Sequence, residues 1–583
     1  MSKNHNNSTN KASKHLAFQL GLVIIILLAL TNFAGASQPV KEPAKNCTPG
    51  TTEVQILAIN DFHGQLEPPA SKTTIGYTET GTPIRVEAGG AEYLATHIKK
   101  LSSENPNTLV VSGGDCIGAS PLTSALFHDE PTIEALNLMG FDFSAVGNHE
   151  FDEGLDELMR IQNGGCPPTA GCLNNSTFEG ADFRYLAANI VNETTNATIF
   201  PAYNVTCVQG IPVGFIGVAF KDTPSIVTPS GVKGLKFLDE AESINKYVGK
   251  LEKIGVKTII VIIHDGGSQK GLYNESVNMS GPIMDIVNAT DDEVDVFVTG
   301  HTHQAYNAGI DGRIVTEAGS AGNVLTDIDL VISNKTRDVV DARSRNILVS
   351  RDVPKDSEVT ELVDKYRTLA APLANKVVGN ITGNITTTAS DSGESPLGDV
   401  IADAQLYATS NPDFGEGVIA FTNPGGIRAS LIYDQISGGE LPGQVTYSEA
   451  FSVQPFGNSM VTMTLNGTQI DALLEQQFDN PSSGAKRILQ VSKGFSYTWN
   501  QNAPTGEKVE ISGIKLNGTT IDPGRPYRVT VNSFLADGGD NFTVLKTGTD
   551  RIGGAVDTDV FVNYLSTFSP VTPKSADRIV LVE

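Results

Sequence analysis

Six short runs of aliphatic and β-branched residues punctuate the first half of this chain: Val54–Ile59, Thr108–Ser112, Phe143–Val146, Val213–Val218, Thr258–Ile263 and Val294–Val298. Helix-compatible stretches lie between them, among them Ala91–Leu101, Pro131–Leu138 and Glu240–Ile254, with apolar residues at three- and four-residue spacing. Continuous apolar strands alternating with amphipathic helices predict an α/β domain around a largely buried sheet. Five of the six runs end on a polar, glycine-bearing cluster. In chain order these are Asn60-Asp61-Phe62-His63-Gly64, Gly113-Gly114-Asp115, Gly147-Asn148-His149-Glu150-Phe151-Asp152, His264-Asp265-Gly266-Gly267 and Gly300-His301-Thr302-His303. In an open α/β sheet the carboxyl ends of the strands share one edge, and ligands bind there. Asp61, His63, Asp115, Asn148, His264, His301 and His303 are therefore expected to converge.

Five of the nine histidines fall in these clusters. Carboxylate, amide and imidazole donors together suit divalent zinc, manganese or cobalt, and flanking glycines admit close backbone approach. Asp115 is the best candidate for a carboxylate shared by two ions. Two ions close together would activate water as hydroxide and clamp a phosphoryl group. His149 and Asp152 form a second unit, in which the carboxylate orients a ring that stabilises or protonates the reacting group. The plainer alternative makes Asp152 a helix acid capping its own turn.

Charge narrows the function further. Lys and Arg total 41 against 66 Asp and Glu, a formal net charge of −25, which argues against a polynucleotide binder with a basic surface. An anionic substrate would need local positive charge, from metal or from a placed arginine. The 583-residue length exceeds a single core, so at least two domains are expected.

The N-terminus reads as export. Lys3, Lys11 and Lys14 precede an apolar run, Leu16–Leu30, and Ala34-Gly35-Ala36 offers a cleavage site. Residues 1–36 are expected to be a signal peptide, with an uncleaved anchor as the alternative, and 37–50 a linker. The expected location is secreted, with the cell surface and the periplasm as variants. No other stretch is apolar enough to cross a membrane, and the C-terminus lacks the tail that a lipid anchor needs. Fifteen Asn-x-Ser/Thr sequons follow the signal, against about six by chance, which suits a eukaryotic secreted glycoprotein, with composition alone in a bacterial chain as the alternative. Cys166 and Cys172 are expected to pair, Cys47 with Cys207 is a second candidate pair, and Cys116 is left over.

The expected domains are 51–350, then a charged interdomain segment, 351–375, holding the helix-compatible Ser357–Ala374, then 376–583. This last domain reads as α+β, with strand-like Val461–Leu465 and Tyr527–Val531. Its motif Phe421-Thr422-Asn423-Pro424-Gly425-Gly426-Ile427-Arg428 offers backbone N–H groups and a guanidinium to an anion. Phe456, in Gln454-Pro455-Phe456-Gly457, and Phe534, in the run Ser533–Asp540, put rings beside turn residues. Two rings on loops could sandwich a base while Asp540 accepts bonds from ribose hydroxyls. Taken singly, both phenylalanines read as core residues.

These motifs together resemble the calcineurin-like metallophosphatases, and their order with the second domain resembles the secreted 5′-nucleotidase family among them. The resemblance covers nearly all of the chain beyond the linker. It implies an αββα metallophosphatase sandwich followed by an α+β nucleotidase domain. It implies two divalent metal ions, one held by Asp61, His63, Asp115 and His303, the other by Asp115, Asn148, His264 and His301. It implies a catalytic dyad of His149 and Asp152, and a nucleoside site of Asn423, Arg428, Phe456, Phe534 and Asp540. Family members swing the second domain against the first, which would make Ser357–Ala374 a hinge. Two departures bear on substrate choice: Ser390–Ser395 lacks an arginine found in members with well-matched nucleotide sites, and Pro424 interrupts a loop that is otherwise glycine after the asparagine.

The function expected is a secreted dimetal phosphohydrolase that frees phosphate from nucleoside 5′-monophosphates by attack of a metal-activated hydroxide. UDP-sugar hydrolysis and 2′,3′-cyclic nucleotide phosphodiesterase activity are the enzymatic alternatives. An inactive nucleotide-binding glycoprotein is the non-enzymatic one. The partner expected is the nucleotide substrate, with no nucleic-acid polymer and no stable membrane insertion once the signal is cleaved; the sequence leaves oligomeric state open.

Overall fold

In the computed structural model the described residues are 50–582, apart from 70–71, 79–81, 168–171, 173–176, 228–229 and 482–483. The expected signal peptide, nearly all of the linker and Cys47 lie outside them.

The strand Thr51–Ile59 is buried at every position from Val54 onward. Its alternate side chains face two different layers, which accounts for the unbroken apolar run. Val54, Ile56 and Ala58 point into a core shared with Val213, Phe215, Ile260 and Ile262 of another sheet. Leu57 and Ile59 point the other way, onto the helices Ala91–Glu104 and Glu130–Met139. The second sheet repeats the device, with Ile216, Val218, Ile259 and Val261 against the helix Glu240–Lys253. The result is an αββα sandwich.

Each sheet has six strands. The first runs in the order Val339–Leu348, Val324–Ser333, Thr51–Ile59, Thr108–Ser112, Phe143–Ala145, Arg184–Leu186; the second runs Ala305–Ile310, Arg313–Ala318, Val296–Val298, Thr258–Ile263, Ile211–Val218, Tyr203–Val208. Thr51–Ile59 lies parallel to Thr108–Ser112, with Ile59 opposite Ser112. Thr258–Ile263 is parallel to both Ile211–Val218 and Val296–Val298. The expectation of one shared sheet edge is thus corrected: the first three clusters leave one sheet, the last two leave the other, and they meet at the same end of the sandwich. Buried runs look alike whichever sheet they join, so sequence could not separate them.

The helices carry the end signals their sequences offer. Asp239 caps Glu240–Lys253 by accepting from the Glu242 N–H, with Glu240 and Glu242 in the first turn and Lys250 and Lys253 in the last. Asp356 likewise caps Ser357–Ala374 through the Val359 N–H. Tyr366, Ala370 and Ala374 of that helix pack with Leu122 and Phe127 on one side and Tyr447 and Phe451 on the other. It therefore touches both halves of the chain.

The C-terminal part is α+β. A five-stranded sheet runs in the order Gln490–Val491, Ile419–Thr422, Pro526–Asn532, Ser459–Asn466, Thr549–Val556. Its core joins Phe421, Met463 and Val529 to Tyr497 and Trp499 of a separate four-stranded sheet. Cys166 and Cys172 form a disulfide. Cys116 is buried and Cys207 is exposed, its candidate partner Cys47 lying outside the described residues. Among the described residues no helix is long and apolar enough to cross a membrane.

Candidate active site

Past the strand ends the backbone turns sharply. Five of the seven expected ligands have positive φ: Asp61 at 49°, His63 at 48°, Asp115 at 51°, His301 at 73° and His303 at 53°. Hydrogen bonds lace these loops together. The Asp61 N–H donates to Gly114 O and the His63 N–H to Asp115 O, each at 3.0 Å. Glu150, a motif residue given no role from sequence, accepts from the N–H groups of Asp115, Cys116 and Gly147 at 2.9, 2.8 and 2.5 Å. Gly147 is required: a Cβ there would lie 2.1 Å from Asp115 Oδ1.

The seven side chains gather into two groups that share Asp115. In the first, His303 Nε2 lies 3.2 Å from Asp61 Oδ1 and 3.1 Å from His63 Nε2, which is 3.9 Å from Asp115 Oδ2. In the second, His264 Nε2 lies 3.1 Å from Asp115 Oδ2 and 3.1 Å from Asn148 Oδ1, with His301 Nδ1 3.0 Å from that same amide oxygen.

The donor chemistry fits divalent metal. His264 Nδ1 faces Gly113 O at 2.9 Å and His63 Nδ1 faces Gly118 O at 3.0 Å. Each carbonyl calls for an N–H at Nδ1, leaving the Nε2 lone pair aimed into the cluster. Burial opposes charge on Asp61, yet His303 beside it holds the carboxyl down to about 2. Burial drives His301 down to about 3, which keeps its ring neutral and able to ligate. Phe220 stacks on that ring at 4.6 Å and 25°.

His149 Nδ1 lies 2.9 Å from Asp152 Oδ2, which also accepts the Ala119 N–H at 3.2 Å. The capping alternative for Asp152 is not what the fold adopts: the helix Leu155–Asn163 begins at Gly154 without a side-chain cap. Burial works against charge on the His149 ring, but Asp152 and Asp115 outweigh it and raise its pKa above the usual histidine value.

One cavity borders Asn148, His149, Asp152 and His301 on one side and Asn423, Arg428, Phe456, Phe534 and Asp540 on the other. Phe456 and Phe534 are half-buried at its wall, Phe534 also packing against the core of the C-terminal domain. Asn423 Nδ2 donates to Asp540 Oδ2 at 2.7 Å, and Asn532 Nδ2 donates to Asn423 Oδ1 at 3.1 Å. Arg487 donates to Asp540 Oδ1 at 2.5 Å and also lines the cavity. Sequence reasoning missed Arg487, Asn532 and Phe220; the first two carry no local motif. Burial lowers the Arg428 pKa, while Asp115, Asp152 and Asp61 attract its charge.

Residues 54–305 match the calcineurin-like phosphoesterase family and residues 377–547 the 5′-nucleotidase C-terminal domain. The chain is 31% identical over 587 residues to the cell wall protein Lmo0130 of Listeria monocytogenes, covering 95% of this chain and 71% of that one. This chain belongs to the 5′-nucleotidase family of calcineurin-like phosphoesterases. The endonuclease YhcR of Bacillus subtilis is 33% identical over 534 residues, and the match spans 91% of this chain but only 41% of that relative. Among solved structures, the 5′-nucleotidase precursor of Thermus thermophilus aligns with a TM-score of 0.73 at 26% identity, over 91% of this chain and 99% of its own. As a family member the protein is a metal-dependent phosphoester hydrolase. Calcineurin-like members use two divalent ions, and the groups Asp61–His63–His303 and Asp115–His264–His301 are compact enough to hold them.

Proposed function

We propose that this hydrolase is secreted and releases phosphate from nucleoside 5′-monophosphates. The observation that carries the reading is one cavity bordered by both the His149–Asp152 pair and the ring and anion-binding residues of the C-terminal domain. The domains we assign are 51–350 and 376–583, with 351–375 as the hinge between them.

One ion would be held by Asp61, His63, Asp115 and His303, the other by Asp115, Asn148, His264 and His301. Bound there, divalent cations supply an activated water and neutralise phosphoryl charge. The protein's own groups do the rest. Asp152 keeps the proton of His149 on Nδ1, so Nε2 faces the cavity to bond a phosphoryl oxygen or hand a proton to the leaving group. Arg428 stabilises charge that grows on the phosphoryl oxygens. Phe456 and Phe534 stack the base, and Asp540, held by Asn423 and Arg487, accepts from the ribose hydroxyls.

A polynucleotide substrate is disfavoured by the net charge of −25 and by a cavity walled from two domains. The test is phosphate release by chelator-stripped protein reloaded with zinc, manganese or cobalt. AMP, UDP-glucose, a 2′,3′-cyclic nucleotide and a simple aryl phosphate would be offered side by side. Metal-restored release that strongly favours AMP is the expected result. Release from the aryl phosphate alone would sink the nucleoside site and leave the metal site standing.

A further inference from the structure

His149 is tied down at two points, its backbone N–H on Asp115 Oδ1 at 2.8 Å and its ring Nδ1 on Asp152 Oδ2 at 2.9 Å. Neither contact sets the plane of the imidazole. Bonded at Cγ and hydrogen-bonded at Nδ1, the ring keeps a residual rotation about χ1 and χ2, and Nε2, on the far side, moves most. Contacts to the ring faces and edges must remove this freedom. His63 meets the ring edge-on, with centroids 5.0 Å apart and planes at 78°. Phe456 lies almost flat against it, with centroids 5.6 Å apart and planes at 17°.

The comparison with His301 is informative. Its flat partner, Phe220, belongs to the same half of the chain. Phe456 instead follows the helix Tyr447–Val453 in the C-terminal domain. The guanidinium carbon of Arg428 lies 5.8 Å from the Phe456 ring centre, a contact that helps fix this ring in turn.

We propose that Phe456 is a positioning residue for His149: its ring sets the plane of the imidazole and thereby the aim of Nε2, so the C-terminal domain completes the dyad. The proposal rests on the reading of His149 given above and goes beyond base stacking. A phenyl ring has two faces. One lies on His149, so stacking a base would fall to the other, and the two roles are distinct. A substrate without a base separates them.

The experiment compares wild type, Phe456→Leu and Phe456→Tyr on AMP and on ribose 5-phosphate. Phe456→Leu is expected to lower kcat on ribose 5-phosphate roughly tenfold while KM changes less than about twofold, with bound metal unchanged. Phe456→Tyr, which keeps the flat face, should stay near wild type. In a His149→Ala background the leucine change should leave the residual ribose 5-phosphate rate unaltered, because no imidazole remains to be aimed. Phe456→Met serves as the ringless variant if leucine prevents folding. An unchanged kcat on ribose 5-phosphate, with KM raised only for AMP, would confine Phe456 to base stacking and overturn the proposal. A loss that persists in the His149→Ala background would overturn it as well. If wild type shows no preference for AMP, the nucleotide reading fails while the ribose 5-phosphate comparison still decides this one.

Discussion

Asp115 Oδ1 accepts the backbone N–H of His149 at 2.8 Å. The other oxygen of that carboxylate faces His264 Nε2 at 3.1 Å, so one side chain links the dyad to the ligand cluster. Asp115→Asn is expected to empty both metal positions and lower turnover on the order of 100-fold or more. Elemental analysis of purified protein beside its phosphate release checks this. A variant that keeps two ions per chain would refute the shared role.

Asp152 acts on His149 without touching the metal cluster. Asp152→Asn is expected to keep full metal content while kcat falls by about 10²–10⁴, with little change in KM. Metal loss alongside the rate loss would reduce Asp152 to a structural residue.

A buried network in the C-terminal domain predicts two opposite pH slopes in stability. Asp403 receives both terminal nitrogens of Arg578, at 2.8 and 3.0 Å, and Lys574 Nζ at 2.8 Å. Burial opposes its charge, but Arg578 and Lys574 prevail and hold it below its ordinary 3.8. Its stabilising effect is complete above that value and disappears as pH falls through the lower folded-state pKa. Asp399, one turn earlier, is buried beside Glu394, with Arg578 Nε 3.6 Å away. Burial pushes it up to about 8, so folding holds a proton that the unfolded chain releases above 3.8, and stability falls as pH rises toward 8. Chemical denaturation across pH should therefore find Asp399→Asn flatter between these values and more stable near pH 8. Asp403→Asn should cost about 3–5 kcal/mol at neutral pH by stranding Arg578. Equal slopes in wild type and Asp399→Asn would count against the assignment.

Arg487 holds Asp540 from the side opposite Asn423. Arg487→Met is expected to raise KM for AMP about tenfold and leave an aryl phosphate unaffected, since one charged hydrogen bond is worth about 1.5–3 kcal/mol. A parallel loss on both substrates would assign Arg487 to the fold rather than to the sugar.

The convergence of the strand-end clusters was legible because each follows a run too apolar to be anything but buried, and because glycine marks where loops must pass closely. The helix Ser357–Ala374 was legible from its charged, helix-compatible composition, and the structure adds Asp356 as its cap. The second sheet was not legible in the apolar runs themselves and followed only from the family resemblance. Nor was the strand Val339–Leu348, whose Asp341, Arg343 and Arg345 face solvent and mask its β character. Arg487 reaches the site only through packing among distant segments, for which local sequence holds no signal, whereas Phe220 lies just past the run Val213–Val218, at a strand end of the kind that carries the other site residues.

At five ligand positions the backbone adopts the left-handed region that favours glycine. Each such residue costs on the order of 1 kcal/mol or more. Durability and turnover therefore pull in opposite directions there. At the exposed His303, where few contacts would be lost, replacement by glycine should raise the unfolding midpoint of the metal-free protein as it lowers hydrolysis. A copy of this chain released from selection for hydrolysis would drift toward a hardier, inert descendant, losing its ligands before its fold.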